Sequence, residues 1–161
     1  MIVRTGILFA LALMLSSCAD GPREITIGAE ECAHCRMIVS EERFAAQLRT
    51  EHGRTHVFDS IECMAEFIQE DGTTDTASVR GLWVTDFTQP ENWVSAPEAH
   101  YLRSPELRSP MGINLSAFAS DADVQAHQAE YGGEVLDWDQ VRELVAGLRV
   151  ASGHNGQSHV H

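Results

Sequence analysis

Residues 57–60 are Val-Phe-Asp-Ser, and residues 117–120, which lie 117 − 57 = 60 positions later, are Ala-Phe-Ala-Ser. Each tetrapeptide joins a short stretch with strand character to a stretch with helical periodicity. After the first one, apolar side chains recur at the i, i+3, i+4 and i+7 spacing of an amphipathic helix, which Asp59 or Ser60 can cap. The same order of elements surrounds the second one. The sequence therefore predicts an α+β fold made of two similar β-β-α-β half-domains.

Turn residues and periodicity place the other elements around these two junctions. In the first half we expect strands at 44–49, 55–58 and 79–87 and a helix at 61–69. In the second half we expect strands at 98–102, 114–118 and 134–136 and helices at 120–131 and 138–148. The predicted domain covers residues 30–148, with repeats at about 31–90 and 97–148. Residues 149–161 contain several histidines but no apolar period, so we expect a disordered tail.

The N-terminus has the pattern of a lipoprotein leader. Arg4 precedes an uncharged apolar run at residues 7–15, which is too short to span a bilayer and is typical of a secretory signal peptide. Leu15-Ser16-Ser17-Cys18 resembles a lipobox, so we predict a signal peptide at 1–17, a lipid on Cys18 and a tether at 18–29. An ordinary cleaved signal is the alternative. The lipoprotein would face the periplasm, and Ala19 favours the outer membrane over the inner.

The charge of the chain excludes one class of partner. Its 161 residues carry a formal net charge of −13. Nucleic acid is excluded, because its phosphates would be repelled by such a surface.

We find no nucleophile, base and acid arranged for catalysis, so the sequence predicts a binding protein and not an enzyme.

Residues 32–37, Cys-Ala-His-Cys-Arg-Met, are the segment with metal-binding chemistry. Thiolate and thioether ligands together favour Cu(I), whereas hard cations prefer carboxylates and water. Zinc sites are built from thiolate, imidazole and carboxylate ligands and not from thioethers. We therefore predict that Cys32, Cys35 and Met37 are Cu(I) ligands, with His34 as a secondary candidate.

Several other interpretations of this segment remain open. A c-type haem needs histidine where Arg36 stands, which argues against haem. Cys32 and Cys35 could instead form a structural disulfide, or they could act as a thiol-disulfide oxidoreductase or thiol sensor outside the cytoplasm. A structural zinc site would need further ligands, which Cys63 with His56 or His100 could supply. Met37 could also be a core residue.

Two sulfur residues outside this segment are further candidates. Met111 lies between Pro110 and Gly112, in a tight loop that can present its thioether to a distant ligand set. Cys63 lies on the first predicted helix and reads mainly as a buried thiol, with metal contact as a secondary role. Met64 belongs to the apolar stripe of that helix, which predicts a core position.

The order of short motifs over residues 30–145 resembles the NosL family of copper-binding lipoproteins. The resemblance rests on Cys-x-x-Cys-x-Met at 32–37, Phe-Ala-Ala-Gln at 44–47, Phe-Asp-Ser at 58–60, Ser-Pro-Met-Gly at 109–112, Phe-Ala-Ser at 118–120 and Tyr-Gly-Gly-Glu-Val-Leu at 131–136. It implies a fold of two β-β-α-β halves and delivery of Cu(I) to nitrous oxide reductase, an enzyme of denitrification, or to its copper-assembly machinery. Some members have only the second cysteine, which favours Cys35 and Met37 over Cys32.

Replacement of Cys18 by serine tests the predicted anchor. Because the lipid needs the thiol, the Cys18→Ser protein should leave the membrane fraction or remain unprocessed. Fractionation of cells followed by immunoblotting measures this. A Cys18→Ser protein that stays with the membranes as the original does would refute the lipobox.

Overall fold

The computed structural model describes residues 21–70 and 79–155, and it describes side chains as far as residue 151. The predicted signal peptide, the lipidation residue Cys18 and the side chains of the tail histidines lie outside the described residues. No helix in the described ranges has both the length and the apolar character needed to cross a membrane.

The first half consists of a hairpin, a helix and a returning strand. Strands β1 (Ala46–Thr50) and β2 (Thr55–Phe58) form the hairpin, helix α1 (Ile61–Glu70) follows, and β3 (Val79–Thr85) pairs antiparallel with the free edge of β1. A further strand, β4 (Trp93–Ser95), pairs with β3 and gives the sheet order β2-β1-β3-β4. The sequence analysis missed β4, because three residues carry no period and the strand exists only through its partner.

The second half repeats this arrangement with shorter elements. Strands β5 (His100–Arg103) and β6 (Leu115–Phe118) form a hairpin, helix α2 (Asp121–Tyr131) follows, and β7 (Glu134–Leu136) pairs with β5. The sheet order β6-β5-β7 matches the order β2-β1-β3 of the first half. Helix α3 (Trp138–Asn155) ends the described chain. The predicted α+β class and the repeated β-β-α-β unit are therefore confirmed.

The two junctions begin their helices in the same way. The Ser60 Oγ accepts a hydrogen bond from the Cys63 N–H at 3.2 Å, and the Ser120 Oγ accepts one from the Asp123 N–H at 3.1 Å. Each serine thus satisfies a backbone donor that the first helical turn leaves unpaired. The residue two positions before each serine is a phenylalanine with no exposed surface. These buried rings fix the direction in which each helix leaves its sheet.

Helix α3 is longer than the sequence predicts. It packs against α1 and continues to Asn155, so residues 149–155 are helical and do not belong to the predicted tail. Two contacts hold it there: the Gln69 side chain donates to the Arg142 carbonyl at 2.8 Å, and Arg149 lies 3.3 Å from Glu70. Both contacts are long-range, which is why periodicity alone places the end of the helix too early.

The predicted tether at 18–29 is also shorter than expected, because part of its described segment packs against the domain. The Gln47 side chain accepts from the Arg23 N–H at 3.1 Å and donates to the Arg23 carbonyl at 2.5 Å. Gln47 is fully buried and needs such partners, and Ile25 is buried beside the same sheet. Residues 23–25 therefore lie against the first sheet.

Truncation of Met64 tests the core. Met64 has no exposed surface and belongs to the main hydrophobic cluster. Met64→Ala should lower the free energy of unfolding by about 2–5 kcal/mol, as expected for a buried methionine. Met37→Ala is the control, because Met37 is 51% exposed and should change stability by less than about 0.5 kcal/mol. Equal losses in denaturant titrations of the two variants would contradict this packing.

Candidate metal centre

The cysteine segment folds as a tight loop. An isolated bridge between Glu31 and Ile38 closes its base. Inside it, the Cys32 N–H donates to the Met37 carbonyl at 2.7 Å, and the Arg36 N–H donates to the Cys32 carbonyl at 3.1 Å. Arg36 has a φ of 67°, a left-handed conformation that glycine adopts more easily. This turn directs the Cys32 and Cys35 side chains toward the same region.

One backbone hydrogen bond attaches this loop to the sheet. The Ala33 N–H donates to the Val57 carbonyl at 2.8 Å, near the end of β2. Because β2 ends at Phe58 and α1 begins at Ile61, the loop lies directly against the first junction. The cysteine loop and the start of α1 therefore face each other.

Four side chains converge where the loop meets the helix. One sulfur atom each from Cys32, Cys35 and Cys63 and a carboxylate oxygen of Asp59 all lie within 4.8 Å of one another. Cys32, Cys63 and Asp59 are buried, whereas Cys35 is partly exposed. All three cysteines are free thiols. This thiol cluster offers three soft sulfur ligands and one hard oxygen ligand, drawn from two separate segments.

The Cys32 sulfur is stabilised as a thiolate. Its pKa falls to about 6, chiefly because the Cys63 thiol donates a hydrogen bond to it. Backbone N–H groups of Asp59, Cys35 and His34 also donate to the sulfur, while burial acts in the opposite direction. At neutral pH the cluster therefore carries one thiolate before any metal binds.

The other two thiols hold their protons. Burial is the main reason that the pKa of Cys35 rises to about 11, and the nearby Cys32 thiolate adds to the effect. The pKa of Cys63 lies far above its ordinary range, because its proton is shared with the Cys32 sulfur and because it is buried. A metal ion that binds all three sulfurs must displace these two protons.

Asp59 has no conventional partner. Both carboxylate oxygens are buried, and neither receives a hydrogen bond from the N–H or O–H groups of the described residues. The groups that face this carboxylate are the three thiols. The Cys63 thiol also interacts with this carboxylate, but a thiol is a weak donor. A buried carboxylate with only weak donors is costly unless a cation balances it, so the arrangement fits a metal ion at the cluster.

His34 points away from this cluster toward α1. Its Nε2 lies 2.7 Å from a Glu66 carboxylate oxygen, and its Nδ1 lies 3.3 Å from a Glu70 oxygen. Both ring nitrogens therefore contact carboxylates. A metal-binding role for His34 stays a prediction, and the contacts seen here serve to fasten the loop to the helix.

The two candidate methionines lie at the surface. Met37 is 51% exposed and Met111 is 38% exposed. Met111 borders an open cavity of about 520 Å³, between α1 and the end of α3. Its loop is fastened near the cluster, because the Ser109 hydroxyl donates to the buried Glu62 carboxylate. The roles of Met37 and Met111 as metal ligands stay predictions.

The structure thus groups some of the sequence candidates and adds another. Cys32 and Cys35 lie together, and Cys63, which sequence reasoning treated mainly as a buried thiol, joins them. Asp59 was interpreted only as a helix cap. One local feature of the sequence could have indicated Cys63. A cysteine in the first turn of a capped helix lies close to any segment that packs on the preceding strand. Among the described residues, the group contains neither His56 nor His100.

The two-repeat fold and the thiol cluster together define an α+β protein able to bind a thiophilic metal ion. The chain belongs to the NosL family, whose family model matches residues 22–146. Its fold is similar to the crystal structure of the copper chaperone NosL from Shewanella denitrificans, with a TM-score of 0.62 and 19% sequence identity. That match covers 74% of this chain and 96% of the Shewanella chain. No curated protein matches this chain.

A thiolate titration of the apo-protein tests the electrostatics of the cluster. The ultraviolet absorbance of thiolate should rise by one equivalent around pH 6, since the Cys32 pKa lies at about 6. Cys32→Ser should remove this step, whereas the Cys35→Ser variant, which keeps Cys32 and Cys63, should retain it. If no thiolate forms below about pH 8, where an ordinary cysteine begins to ionise, the assigned hydrogen bonds are wrong.

Proposed function

We propose that this protein is a carrier that binds one Cu(I) ion at the thiol cluster and delivers it to another protein outside the cytoplasm. The convergence of three cysteine sulfurs within 4.8 Å, from two separate segments, supports this proposal most directly. Cu(I) is a soft ion and prefers thiolates over oxygen and nitrogen ligands. Membership in the NosL family agrees with this choice of metal.

The cysteines of the cluster differ in solvent exposure, and this difference suggests a route for the ion from the buried site to the surface. Cys32 and Cys63 are fully buried, whereas Cys35 is partly exposed and leads to the exposed Met37. The Met37 N–H also donates to the Cys35 sulfur, so the two residues are neighbours in space. The buried sulfurs would hold Cu(I), and Cys35 with Met37 would pass it to a partner. Met111, on its own exposed loop, is proposed as a further soft ligand during transfer.

The partner and the location are proposed from the sequence. The leader and Cys18 support a lipid-anchored protein that faces the periplasm, with the outer membrane preferred. The family resemblance supports nitrous oxide reductase, or the machinery that assembles its copper sites, as the recipient. In this role the protein is a binding protein of denitrification and not an enzyme.

The alternative function, thiol-disulfide exchange, fits the cluster less well. A thiol that attacks a substrate disulfide must be both ionised and accessible. Here the thiol with the lowered pKa, Cys32, has no exposed surface. The accessible thiol, Cys35, has a raised pKa. Reactivity and access are therefore assigned to different residues, which a metal site tolerates and an oxidoreductase does not.

Anaerobic competition titration with a Cu(I) chelator tests this function. The original protein should bind one Cu(I) per chain. Cys32→Ser, Cys35→Ser and Cys63→Ser should each lower the affinity by at least about 10–100-fold, because a direct ligand contributes no less than the residues that support it. Met37→Leu should also weaken binding, whereas Met111→Leu decides whether the second half contributes a ligand.

Met64→Leu is the matched control for this series. Met64 follows Cys63 directly but is a core residue, and leucine nearly conserves its apolar volume, so the Cu(I) affinity should not change. Full Cu(I) affinity in both Cys35→Ser and Met37→Leu would remove the basis of the proposal.

A further inference from the structure

The two faces of the first sheet are covered by different parts of the chain. Leu48 of β1 is fully buried in the main core, together with Met64 of α1. Side chains alternate along a strand, so Gln47 lies on the opposite face, where it contacts Arg23. We call this opposite side the outer face. The thiol cluster lies on the α1 side of the sheet, because two of its cysteines are part of the main core.

A cavity of about 340 Å³ opens on the outer face, and this volume is at the small end of the range for ligand sites. Its apolar walls come from Ile25, Ile27, Ala45 and Trp93. Ile25 and Ala45 are buried, whereas Ile27 is exposed and Trp93 is half-buried. Trp93 belongs to β4, so the pairing of β4 with β3 fixes its backbone. The cavity therefore offers apolar surface and one aromatic side chain to a bound group.

The charged side chains that line this cavity are mainly acidic. Glu24, Glu42 and Glu91 are exposed carboxylates from three separate segments. Arg23 also lines the cavity, but its guanidinium is paired with both carboxylate oxygens of Glu30, at 2.9 and 2.5 Å. The positive charge of Arg23 is therefore already balanced by a residue outside the lining. The cavity keeps an excess of negative charge, and we refer to it as the acidic cavity.

We propose that the acidic cavity binds an arginine or lysine side chain of a partner protein and so docks the carrier through the face opposite the thiol cluster. The carboxylates would accept charge-assisted hydrogen bonds from the guanidinium or ammonium group. The Trp93 ring would attract the same cation through its negative face. The apolar walls would pack against the methylene stem of the bound side chain. The docking role rests on the proposed carrier function, whereas cation binding at the cavity does not.

The charge and the position of the cavity favour a partner protein as the source of the cation. The chain carries a formal net charge of −13, which attracts basic surfaces and repels anionic ones. Exposed carboxylates each add little affinity, so a free amine would bind weakly. A side chain carried on a protein surface gains from the contacts around it. A partner held at the outer face would leave the exposed Met37 and the partly exposed Cys35 free for metal transfer.

Titration of the full-length protein with the peptide acetyl-Gly-Arg-Gly-amide tests cation binding. Nuclear magnetic resonance of the three tryptophan indole N–H groups is the readout, with Trp93→Phe used to assign the signals. The Trp93 signal should shift and saturate, whereas the signal of Trp138, which is buried in the main core, should not move. The same peptide with citrulline in place of arginine is neutral and nearly the same shape. It should cause no saturable shift.

A triple variant with matched charge tests the carboxylates. Glu24→Gln, Glu42→Gln and Glu91→Gln together should weaken binding of the arginine peptide by about 10-fold, since each exposed ion pair contributes a few-fold. The control changes three exposed glutamates outside the cavity, and it should keep the original affinity: Glu98→Gln, Glu106→Gln and Glu143→Gln. Cu(I) affinity should stay unchanged in both variants, because the thiol cluster lies on the other side of the sheet.

The outcomes separate this inference from the carrier proposal. Equal affinity of the two triple variants for the arginine peptide, or shifts of equal size at all three indoles, would overturn the inference. Binding to vesicles that contain phosphatidylethanolamine, with no binding of the peptide, would overturn it in favour of a lipid headgroup. Failure of the original protein to bind Cu(I), with the peptide still bound at Trp93, would overturn the carrier proposal and leave cation binding at the cavity in place.

Discussion

The hydrogen bond from the Ala33 N–H to the Val57 carbonyl, at 2.8 Å, is the contact on which the site depends. It joins the tight cysteine loop to β2, the edge strand of the first sheet. The Cys32 sulfur is thereby placed against the Asp59 N–H and the Cys63 thiol, both of which donate to it. Together with the contacts of His34 to Glu66 and Glu70, this hydrogen bond holds the cysteines of the loop against the cysteine of the helix.

The second repeat shows what the junction does when no thiol is near. Its Ala119 occupies the position of Asp59, and the Ala119 N–H donates to a carboxylate oxygen of Asp86 at 3.2 Å. In both halves, then, the N–H between the strand and the capping serine points at an anionic group. In the first half that group is the Cys32 thiolate. A shared backbone geometry thus serves as structural support in one repeat and as thiolate stabilisation in the other.

Local patterns were sufficient to predict most of the fold and only part of the site. The two hairpins, the capped helices and the repeat follow from periodicity and from the serines at 60 and 120, because these signals act over a few residues. Strand β4 and the end of α3 depend on long-range partners, so no local pattern indicates them. Cys63 and Asp59 were underrated for the same reason. Their role appears only when a loop some thirty residues earlier packs on the junction.

The central claim is that cysteines from both segments hold the same copper ion. Copper-edge X-ray absorption of the Cu(I)-loaded protein, compared with its Cys63→Ser variant, tests this most directly. The account predicts a first shell of sulfur in the original protein and one sulfur fewer in the variant. A shell dominated by nitrogen or oxygen, or a sulfur count that Cys63→Ser leaves unchanged, would contradict it.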